Sequence, residues 1–336
     1  MSSQELVIDL KGVHKRYGRK THALKGVDMQ VHPGEVFGLL GPNGAGKSTL
    51  VKCMLTVIRP TQAKGTVLGM PIGHKPTLAR VGYLPEHARF PRHLTGRQVV
   101  EFYGAMAKMN RRDCAKRAQE LIDLVDAHDY ADDKVGTYSK GMQQRIGIAQ
   151  AMVNDPDLVV LDEPTDGVDP VGRRDIREVL LSIKKRGKTV FVNSHLLSEL
   201  EMICDRVAIL VGGTVAQQGT IDELTIDDQH YQVVLDWTRK TANPGKLASA
   251  LGVEFMNTGE LGGLPILSAQ AQGLRYDLHG PTLKVHVTSP ADVQPVIDQL
   301  RAAAIVIKSI MPKRPTLEEL FMQVADQARK DKGGGV

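Results

Sequence analysis

Short, nearly continuous runs of apolar residues recur through the first two-thirds of the chain. Each run is five or six residues long and rich in branched side chains. Strands that are buried on both faces of a parallel sheet have this pattern, because helices cover both sides. We therefore predict buried parallel strands at Glu35–Leu40, Leu158–Asp162, Thr189–Asn193 and Val207–Val211.

Amphipathic stretches alternate with these runs, which is the organisation of an α/β domain with a largely parallel sheet. The predicted helices are Arg97–Met109, Asp113–Val125, Gly141–Val153 and Pro170–Arg186. The stretch Leu6–Val31 differs, because two alternating strands flank a turn at Tyr17–His22. It predicts an antiparallel subsheet.

The pattern changes after Gly219, where the strand-like segments alternate as half-exposed strands do. Such strands are predicted at His230–Trp237, Thr282–Thr288 and Ile305–Met311, with a weaker one at Gly252–Met256. Helices predicted at Pro244–Leu251 and Ala291–Ala303 complete the order βαββαβ. This order allows a small α+β domain of the ferredoxin-like type.

A final helix is predicted from Thr316 to Arg329, whereas the Gly-rich segment Gly259–Gly280 fits either an extended hairpin or a mobile loop. Single cores seldom grow past about 250–300 residues, so the 336 residues predict two domains. We place them at 1–225 and 226–336.

Composition is that of an ordinary globular protein, with 42% hydrophobic and 24% charged residues. No window approaches the roughly 18 apolar residues of a membrane span, and the charged N-terminus lacks the apolar core of a secretory signal. The three cysteines, Cys53, Cys114 and Cys204, form no CxxC pair and predict buried reduced thiols. The net charge of +5 suits an anionic partner, but solvated surface charge explains it equally well.

The strongest chemical signal is GPNGAGKST, which follows one predicted strand and opens a helix. Glycines let successive backbone N–H groups point at a β-phosphate, a lysine reaches the β- and γ-oxygens, and a serine ligates Mg²⁺. A Gly-rich turn is the structural alternative. The predicted phosphate-binding residues are Gly41, Pro42, Asn43, Gly44, Ala45, Gly46, Lys47, Ser48 and Thr49.

Two carboxylates end the apolar run LVVLDEP. Asp162 is placed to hold Mg²⁺ through its hydration shell, and Glu163 to take a proton from the attacking water. Alternatively, both could begin a surface loop or cap a helix. His195 follows another predicted strand and could hydrogen-bond a γ-phosphate, although a lone loop histidine is often only a surface group. Asp169 before Pro170 has the form of a helix N-cap.

A second helix start, YSKGMQQR, also has the features of an anion site, because the first N–H groups of a helix lack internal partners. With GPNGAGKST, GYLPE, LVVLDEP, DGVD and SH, it makes residues 5–225 resemble the ATP-binding cassette (ABC) ATPases of membrane transporters. The resemblance implies a P-loop fold with a mostly parallel sheet, an antiparallel subsheet and a helical subdomain. It also implies that ATP and Mg²⁺ are the cofactors.

The resemblance implies several residue roles. Tyr17 would stack on adenine, though by sequence alone it could be a core strand residue, and Glu86 would contact Mg²⁺ and link to the membrane subunit. Ser139 and Gly141 would reach the ATP of a second copy, His195 would act as a switch, and Asp169 would close the loop joining the protomers. Such a subunit sits at the cytoplasmic face of a membrane, on a separately encoded permease, and no nucleic-acid partner is expected.

The sequence also departs from the family pattern. Glu86 replaces a glutamine, Lys140 a glycine, Met142 a glutamine and Asp166 a serine. These departures and the segment PTLEELFM resemble the subgroup that serves ABC-2-type exporters. Residues 87–104 would then dock on the permease, or else form a solvated loop. A soluble ABC ATPase acting on ribosomes or DNA is the alternative function, and a generic P-loop kinase or GTPase is a third.

Overall fold

The computed structural model describes residues 5–18, 20–225, 230–237, 243–261, 264–271, 273–287, 289–314 and 316–324. The described residues divide into two compact units: one runs to Ile221 and includes 321–324, and the other is Asp222–Leu320. The predicted boundary after residue 225 adjoins 226–229, which lie outside the described residues, so it stays a prediction.

Strands and helices alternate up to residue 225, as the sequence predicts. In chain order they are β1 (Ile8–Tyr17), β2 (Thr21–Val31), β3 (Val36–Leu40), α1 (Lys47–Met54), β4 (Gln62–Val67), β5 (Met70–Pro71), β6 (Val81–Leu84), α2 (Gly96–Met106), α3 (Arg111–Leu124), α4 (Lys140–Ala151), β7 (Leu158–Asp162), α5 (Pro170–Lys185), β8 (Thr189–Asn193), α6 (Leu197–Ile203), β9 (Arg206–Val211), β10 (Thr214–Thr220) and α7 (Ile221–Thr225). Short 3₁₀ helices lie at Lys75–Arg80 and Val135–Thr137.

A six-stranded sheet in the order β10-β9-β3-β8-β7-β6 forms the centre of the first unit. All its neighbouring pairs are parallel except β10 with β9. Every residue of β3, β7 and β8 is buried, and Phe37 stacks on Phe191 with ring centroids 5.7 Å apart. The predicted α/β class is confirmed, and the carboxyl ends of β3, β6, β7 and β8 lie side by side at one edge.

The antiparallel subsheet predicted at the N-terminus is also confirmed. It has the order β2-β1-β4-β5. Gly65 (φ 123°) allows β4 to approach β1, since a Cβ there would lie 2.0 Å from the Asp9 carbonyl oxygen. This sheet and the face of the central sheet that carries Phe37 and Phe191 share one apolar core with α1.

Helices α2, α3 and α4 form the helical part of the first unit, and each begins at a polar cap. The Thr95 hydroxyl accepts a hydrogen bond from the Gln98 N–H, and the Gln98 side chain accepts one from the Thr95 N–H, which makes a capping box. Helix α2 ends at Met106, three residues before the predicted end. The reason is backbone geometry, because Lys108 has a left-handed φ of 64° that a helix cannot continue through.

The second unit is an α+β domain with an antiparallel sheet. Its elements are β11 (His230–Leu235), α8 (Pro244–Leu251), β12 (Met256–Leu261), β13 (Leu264–Ala271), β14 (Leu274–His279), β15 (Thr282–His286), α9 (Pro290–Ala302) and β16 (Ile307–Lys313). The strand order is β12-β13-β14-β15-β11-β16. The predicted βαββαβ order is incomplete, because Gly259–Gly280 contributes to the antiparallel strands β12, β13 and β14, which agrees with the predicted hairpin and not with the alternative of a mobile loop.

The strand predicted at Gly252–Met256 is wrong, since only Met256 belongs to a strand there. A helix follows at 317–324, within the predicted Thr316–Arg329, of which 325–329 lie outside the described residues. In the described part of the chain, no helix has the length and apolar character needed to cross a membrane.

Candidate functional site

A cavity of about 340 Å³ opens at the carboxyl ends of β3, β7 and β8. In open α/β sheets this edge is where ligands bind, because loops from several strands converge there. The lining combines the 42–49 loop with acidic and polar residues from other strand ends. These are Ala23, Pro42, Asn43, Gly44, Gly46, Lys47, Ser48, Thr49, Glu86, Asp162, Glu163, Asp166, Asn193 and His195.

The loop from Gly41 to Gly46 is shaped by glycine at its tightest points. Gly44 and Gly46 have φ angles of 81° and 110°, and a Cβ at Gly46 would lie 2.7 Å from the Ala23 carbonyl oxygen. Helix α1 begins directly afterwards, and its N-cap residue, Gly46, has no side chain to accept a hydrogen bond from the first turn. Its first N–H groups are therefore available to an anion in the cavity. Gly41 and Ala45 belong to the same loop but do not line the cavity, and the Ala45 N–H donates to the Pro42 carbonyl oxygen at 3.0 Å.

Lys47 is buried and its Nζ donates to the Gly41 carbonyl oxygen at 2.7 Å. Burial lowers the pKa of this ammonium, and the Glu163, Asp162 and Glu86 carboxylates oppose that shift. A desolvated cation held only by a carbonyl gains from contact with a phosphate oxygen. The predicted role of Lys47 thus fits its surroundings.

Asp162 is buried at the end of β7, where the Asn193 side-chain amide donates to its Oδ1. Burial raises the pKa of this carboxyl, and the Asn193 bond acts in the opposite direction. The Asn193 Oδ1 atom is buried, and no residue that the structure describes makes a hydrogen bond to it. Water in the shell of a hydrated cation would satisfy this acceptor, so the residues fit a Mg²⁺ ion.

Further oxygen donors line the same cavity. Glu86 and Ser48 reach it from the end of β6 and from α1, and both offer the hard oxygen ligands that Mg²⁺ prefers. Among the described residues, no cluster of three or more His, Cys, Asp or Glu side chains stands ready to hold a metal. Mg²⁺ commonly takes one or two carboxylates and completes its shell with waters and substrate phosphates.

Glu163 follows Asp162 and turns sharply, with a left-handed φ of 52°. Its N–H donates to the Asn193 carbonyl oxygen at 2.8 Å, which ties the end of β7 to the end of β8. Glu163 Oε2 lies 2.8 Å from Nδ1 of His195 and accepts the His195 backbone N–H at 3.2 Å. The structure therefore joins the two residues that the sequence predicted separately as base and switch.

Besides Gly41 and Ala45, four predicted site residues do not line this cavity: Tyr17, Ser139, Gly141 and Asp169. Tyr17 is exposed at the end of β1, and the Lys15 Nζ lies 5.0 Å from its ring centroid. Ser139 caps α4, with its hydroxyl accepting the Met142 N–H at 3.2 Å, and Gly141 packs close to Val168. Asp169 occupies the N-cap position of α5 and Pro170 the first helical position, as predicted, although the Asp169 side chain makes no capping hydrogen bond.

Sequence reasoning missed three lining residues as site candidates: Ala23, Asp166 and Asn193. Asn193 was visible only as the last residue of the strand TVFVN, and Asp166 only as a departure from the family pattern. Both lie near Glu163: Asn193 is bonded to it, and the Asp166 N–H donates to its carbonyl oxygen at 3.2 Å. For Asn193 and Asp166, position is the signal that could have identified them, because Asn193 ends β8 and Asp166 lies in the loop after β7.

Comparison with known families gives a match over residues 24–166 to the family described as ABC transporter. An uncharacterized ABC transporter ATP-binding protein of Synechocystis sp. is 40% identical and aligns over 91% of this chain and 79% of its own. The daunorubicin resistance ATP-binding protein DrrA3 of Streptomyces coeruleorubidus is 32% identical over 98% of both chains. A Nod factor export ATP-binding protein I of Rhizobium sp. is 33% identical over 95% of this chain and 97% of its own.

Solved structures give the same result for the fold. The chain resembles cbiO1 from Clostridium perfringens, part of the ABC transporter complex cbiONQ, with a TM-score of 0.61 and 28% identity over 66% of this chain and 90% of that one. It also resembles a dimeric ATP-binding cassette in a post-hydrolysis state bound to ADP and Pi. There the TM-score is 0.58 with 26% identity, covering 64% of this chain and 98% of the other.

Proposed function

The chain belongs to the ATP-binding proteins of ABC transporters and is an ATPase, and from this premise we propose that two copies close around two ATP molecules to drive export through a separately encoded ABC-2-type permease. One observation supports the proposed dimer. The phosphate loop, Asp162, Glu163 and His195 share one cavity, whereas Ser139 and Gly141 lie outside it. A second copy would supply those two to the same nucleotide.

Within one copy, the 41–49 loop and Lys47 would bind the phosphates of ATP, and Ser48, Asp162 and Glu86 would hold Mg²⁺. The ion, when bound, neutralises charge on the phosphate oxygens. Burial supports the role of Asp162, because a buried carboxylate that is costly to ionise gains from a cation. Tyr17, exposed beside the Lys15 ammonium, would stack on the adenine ring.

Glu163 would act as the general base toward the attacking water. Its Oε2 atom is engaged by His195, and no described residue occupies Oε1. The arrangement supports Glu163 as the base, because Oε1 can accept the proton of the water while Oε2 contacts His195. His195, half exposed at the cavity, would change its contact from Glu163 to the γ-phosphate when ATP is present.

The exposed side of α2 supports a docking site for the permease. Phe102 is 48% exposed and Met106 is 65% exposed, and the Phe102 ring packs edge-on against Tyr103, which also contacts Phe90. Adjacent exposed apolar side chains of this kind commonly mark an interaction site. This surface falls largely within residues 87–104, the segment that the family resemblance implies for docking, and would hold the chain at the cytoplasmic face of the membrane.

Two of the reported relatives carry export or drug-resistance names, which favours a transporter subunit over a soluble ATPase acting on ribosomes or DNA. Co-expression of this chain with each multi-span protein encoded beside its gene tests the proposal. We expect one such protein to co-purify and to change the ATPase rate. Phe102→Asp should abolish both effects while leaving the ATPase rate of the isolated chain unchanged.

Two results would overturn the export proposal. One is ATPase activity that no neighbouring membrane protein changes. The other is co-purification with ribosomal proteins or nucleic acid in place of a permease.

A further inference from the structure

One polar atom in the wall of the nucleotide cavity is buried and keeps an unused capacity for hydrogen bonding. It is Oδ1 of Asn193, the last residue of β8, whose side chain lines the cavity and is only 1% exposed. No residue that the structure describes makes a hydrogen bond to this oxygen. Buried polar atoms are nearly always hydrogen-bonded, because an unmade bond costs the desolvation of the group. Oδ1 therefore indicates a partner that comes from the cavity itself.

The other half of the Asn193 amide determines which atom is left for that partner. Its Nδ2 donates to Oδ1 of Asp162, which lies opposite Asn193 on the neighbouring strand β7. An amide turned the other way would place its oxygen against an ionised carboxylate, and two acceptors share no proton. Nδ2 thus belongs to Asp162, and the amide oxygen is the atom that remains.

The partner of this oxygen must be a hydrogen-bond donor. The phosphate oxygens of a nucleotide are acceptors, and so are the ionised carboxylates of Asp162 and Glu163. A water molecule is a donor of the right size, and a water bound to a divalent ion donates more strongly, because the cation polarises its O–H bonds. Mg²⁺ usually keeps several of its waters when a protein binds it.

The backbone of Asn193 also contacts the proposed base. Its carbonyl oxygen accepts the Glu163 N–H at 2.8 Å, and His195 follows two residues later. Every residue of β8 is buried, so the strand holds Asn193 on all sides. The amide is therefore a rigid group that contacts Asp162 with its side chain and Glu163 with its backbone, as precise positioning of a site requires.

We propose that Asn193 is a positioning residue for the divalent ion: Oδ1 accepts a hydrogen bond from a water in the shell of the ion, while Nδ2 holds the Asp162 carboxylate in place. Asn193 acts on the ion through that water and through Asp162, and it is not itself a ligand. The assignment rests on the Mg²⁺ site proposed above, but not on the dimer or on export. Asn193 therefore raises the affinity for the ion, whereas the phosphates are bound by Lys47 and the 41–49 loop.

The test measures how the full chain with ADP binds Mn²⁺, a paramagnetic substitute for Mg²⁺, so that neither turnover nor a second copy is needed. The EPR signal of free Mn²⁺ shows how much of the ion is bound. Asn193→Leu keeps a similar volume and removes both polar atoms. We expect it to raise the Mn²⁺ dissociation constant about 10- to 100-fold, the usual effect of losing a group that hydrogen-bonds to the ligands of a metal. Its affinity for a fluorescent ADP analogue in EDTA should match that of the parent.

Three further variants identify the cause of the loss. Asn193→Thr keeps a hydroxyl that donates and accepts, and threonine suits a buried strand, so part of the Mn²⁺ affinity should return. Asn193→Ala replaces the leucine variant if thermal melting shows that leucine prevents folding. Thr189→Val is the matched control, because Thr189 is a buried polar residue at the other end of β8, where its hydroxyl accepts the Gly34 N–H at 2.9 Å. It should bind Mn²⁺ like the parent.

Unchanged Mn²⁺ binding in Asn193→Leu would overturn the assignment. So would an equal loss of ADP affinity in EDTA, since that result would show a general distortion of the cavity. An Asn193→Thr variant that binds Mn²⁺ no better than Asn193→Leu would overturn the role of the polar atoms. A parent that takes up no Mn²⁺ with ADP would overturn the ion site, and the assignment with it, and would leave the dimer and the export function untouched.

Discussion

The imidazole Nδ1 of His195 lies 2.8 Å from Oε2 of Glu163, and the His195 backbone N–H donates to the same oxygen at 3.2 Å. The two residues follow different strands, β7 and β8, which are hydrogen-bonded neighbours in the sheet. The two contacts fix the direction of the Glu163 carboxylate. Glu163 is therefore positioned by the sheet as well as by its own backbone.

Replacing Glu163 with glutamine should remove the base and keep the shape of the cavity. We expect Glu163→Gln to lower kcat about 10²- to 10⁴-fold, the usual contribution of a general base. Its affinity for ATP should remain within a few-fold of the parent, because the phosphate loop and Lys47 are untouched. Steady-state phosphate release and fluorescent-nucleotide titration measure the two quantities.

Glu199→Gln provides a control for the loss of one carboxylate, since Glu199 lies on α6, outside the cavity lining, and pairs with Arg177. It should turn over ATP at the parental rate. Normal turnover in Glu163→Gln would contradict the assignment of the base.

The second prediction concerns the contribution of Lys47 to ATP binding. Its ammonium is buried and donates to the Gly41 carbonyl oxygen at 2.7 Å. Lys47→Ala should weaken ATP binding about 10- to 100-fold, because the charge-assisted contacts to the phosphates are lost. Lys52→Ala, at an exposed position of the same helix, should bind like the parent. If Lys47→Ala bound ATP as tightly as Lys52→Ala does, Lys47 would not contact the phosphates.

The sequence alone predicted the position of those site residues that belong to one continuous segment. The loop from Gly41 to Thr49 and the pair Asp162–Glu163 are where the motifs place them. The contact of Asn193 with Asp162 was not predicted, because it depends on β8 lying beside β7. The order of strands in a sheet cannot be inferred from the residues of one segment. Likewise, the sequence did not decide where Lys140 lies, which follows from the packing of α4 against the loop at Gly167.

Strands in the second unit were harder to predict for a different reason. Segments β12 and β13 contain glycine, proline and several exposed residues, so their burial pattern does not alternate cleanly. Their pairing rests on contacts across strands, such as the 2.6 Å hydrogen bond from the Ser268 hydroxyl to Asp277 Oδ1. Such pairs are visible only once the register is known.

A third prediction concerns the independence of residues 1–225, the predicted first domain. The cluster of apolar side chains around Phe37 and Phe191 shares no residue with the cluster around Leu283 and Leu300 of the second unit. A chain of residues 1–225 should therefore fold and melt cooperatively when followed by circular dichroism. ATP at 100 times its Kd should stabilise it by about 2.7 kcal/mol, because it binds only the folded form. A fragment without a cooperative transition would contradict the predicted domain division.

The last prediction concerns Asp277, which is largely buried in the second unit. Burial on its own raises the pKa of this carboxyl, but hydrogen bonds from His286 and Ser268, together with the charge of Arg275, outweigh it and hold the pKa well below its usual range. A carboxyl with a depressed folded-state pKa stabilises the fold above its unfolded pKa, and this stabilisation is lost as the pH falls through the folded value. Asp277→Asn should therefore destabilise the second unit at pH 7 by about 1–3 kcal/mol.

Trp237 is the only tryptophan in the sequence and packs against the core of the second unit, so its fluorescence during urea unfolding reports on this unit in the full chain. The difference between Asp277→Asn and the parent should shrink as the pH is lowered below the ordinary carboxyl value of 3.8. Asp298→Asn, an exposed acid-to-amide change on α9, should unfold like the parent at every pH. A difference that stays constant with pH would show that Asp277 acts through packing and not through its charge.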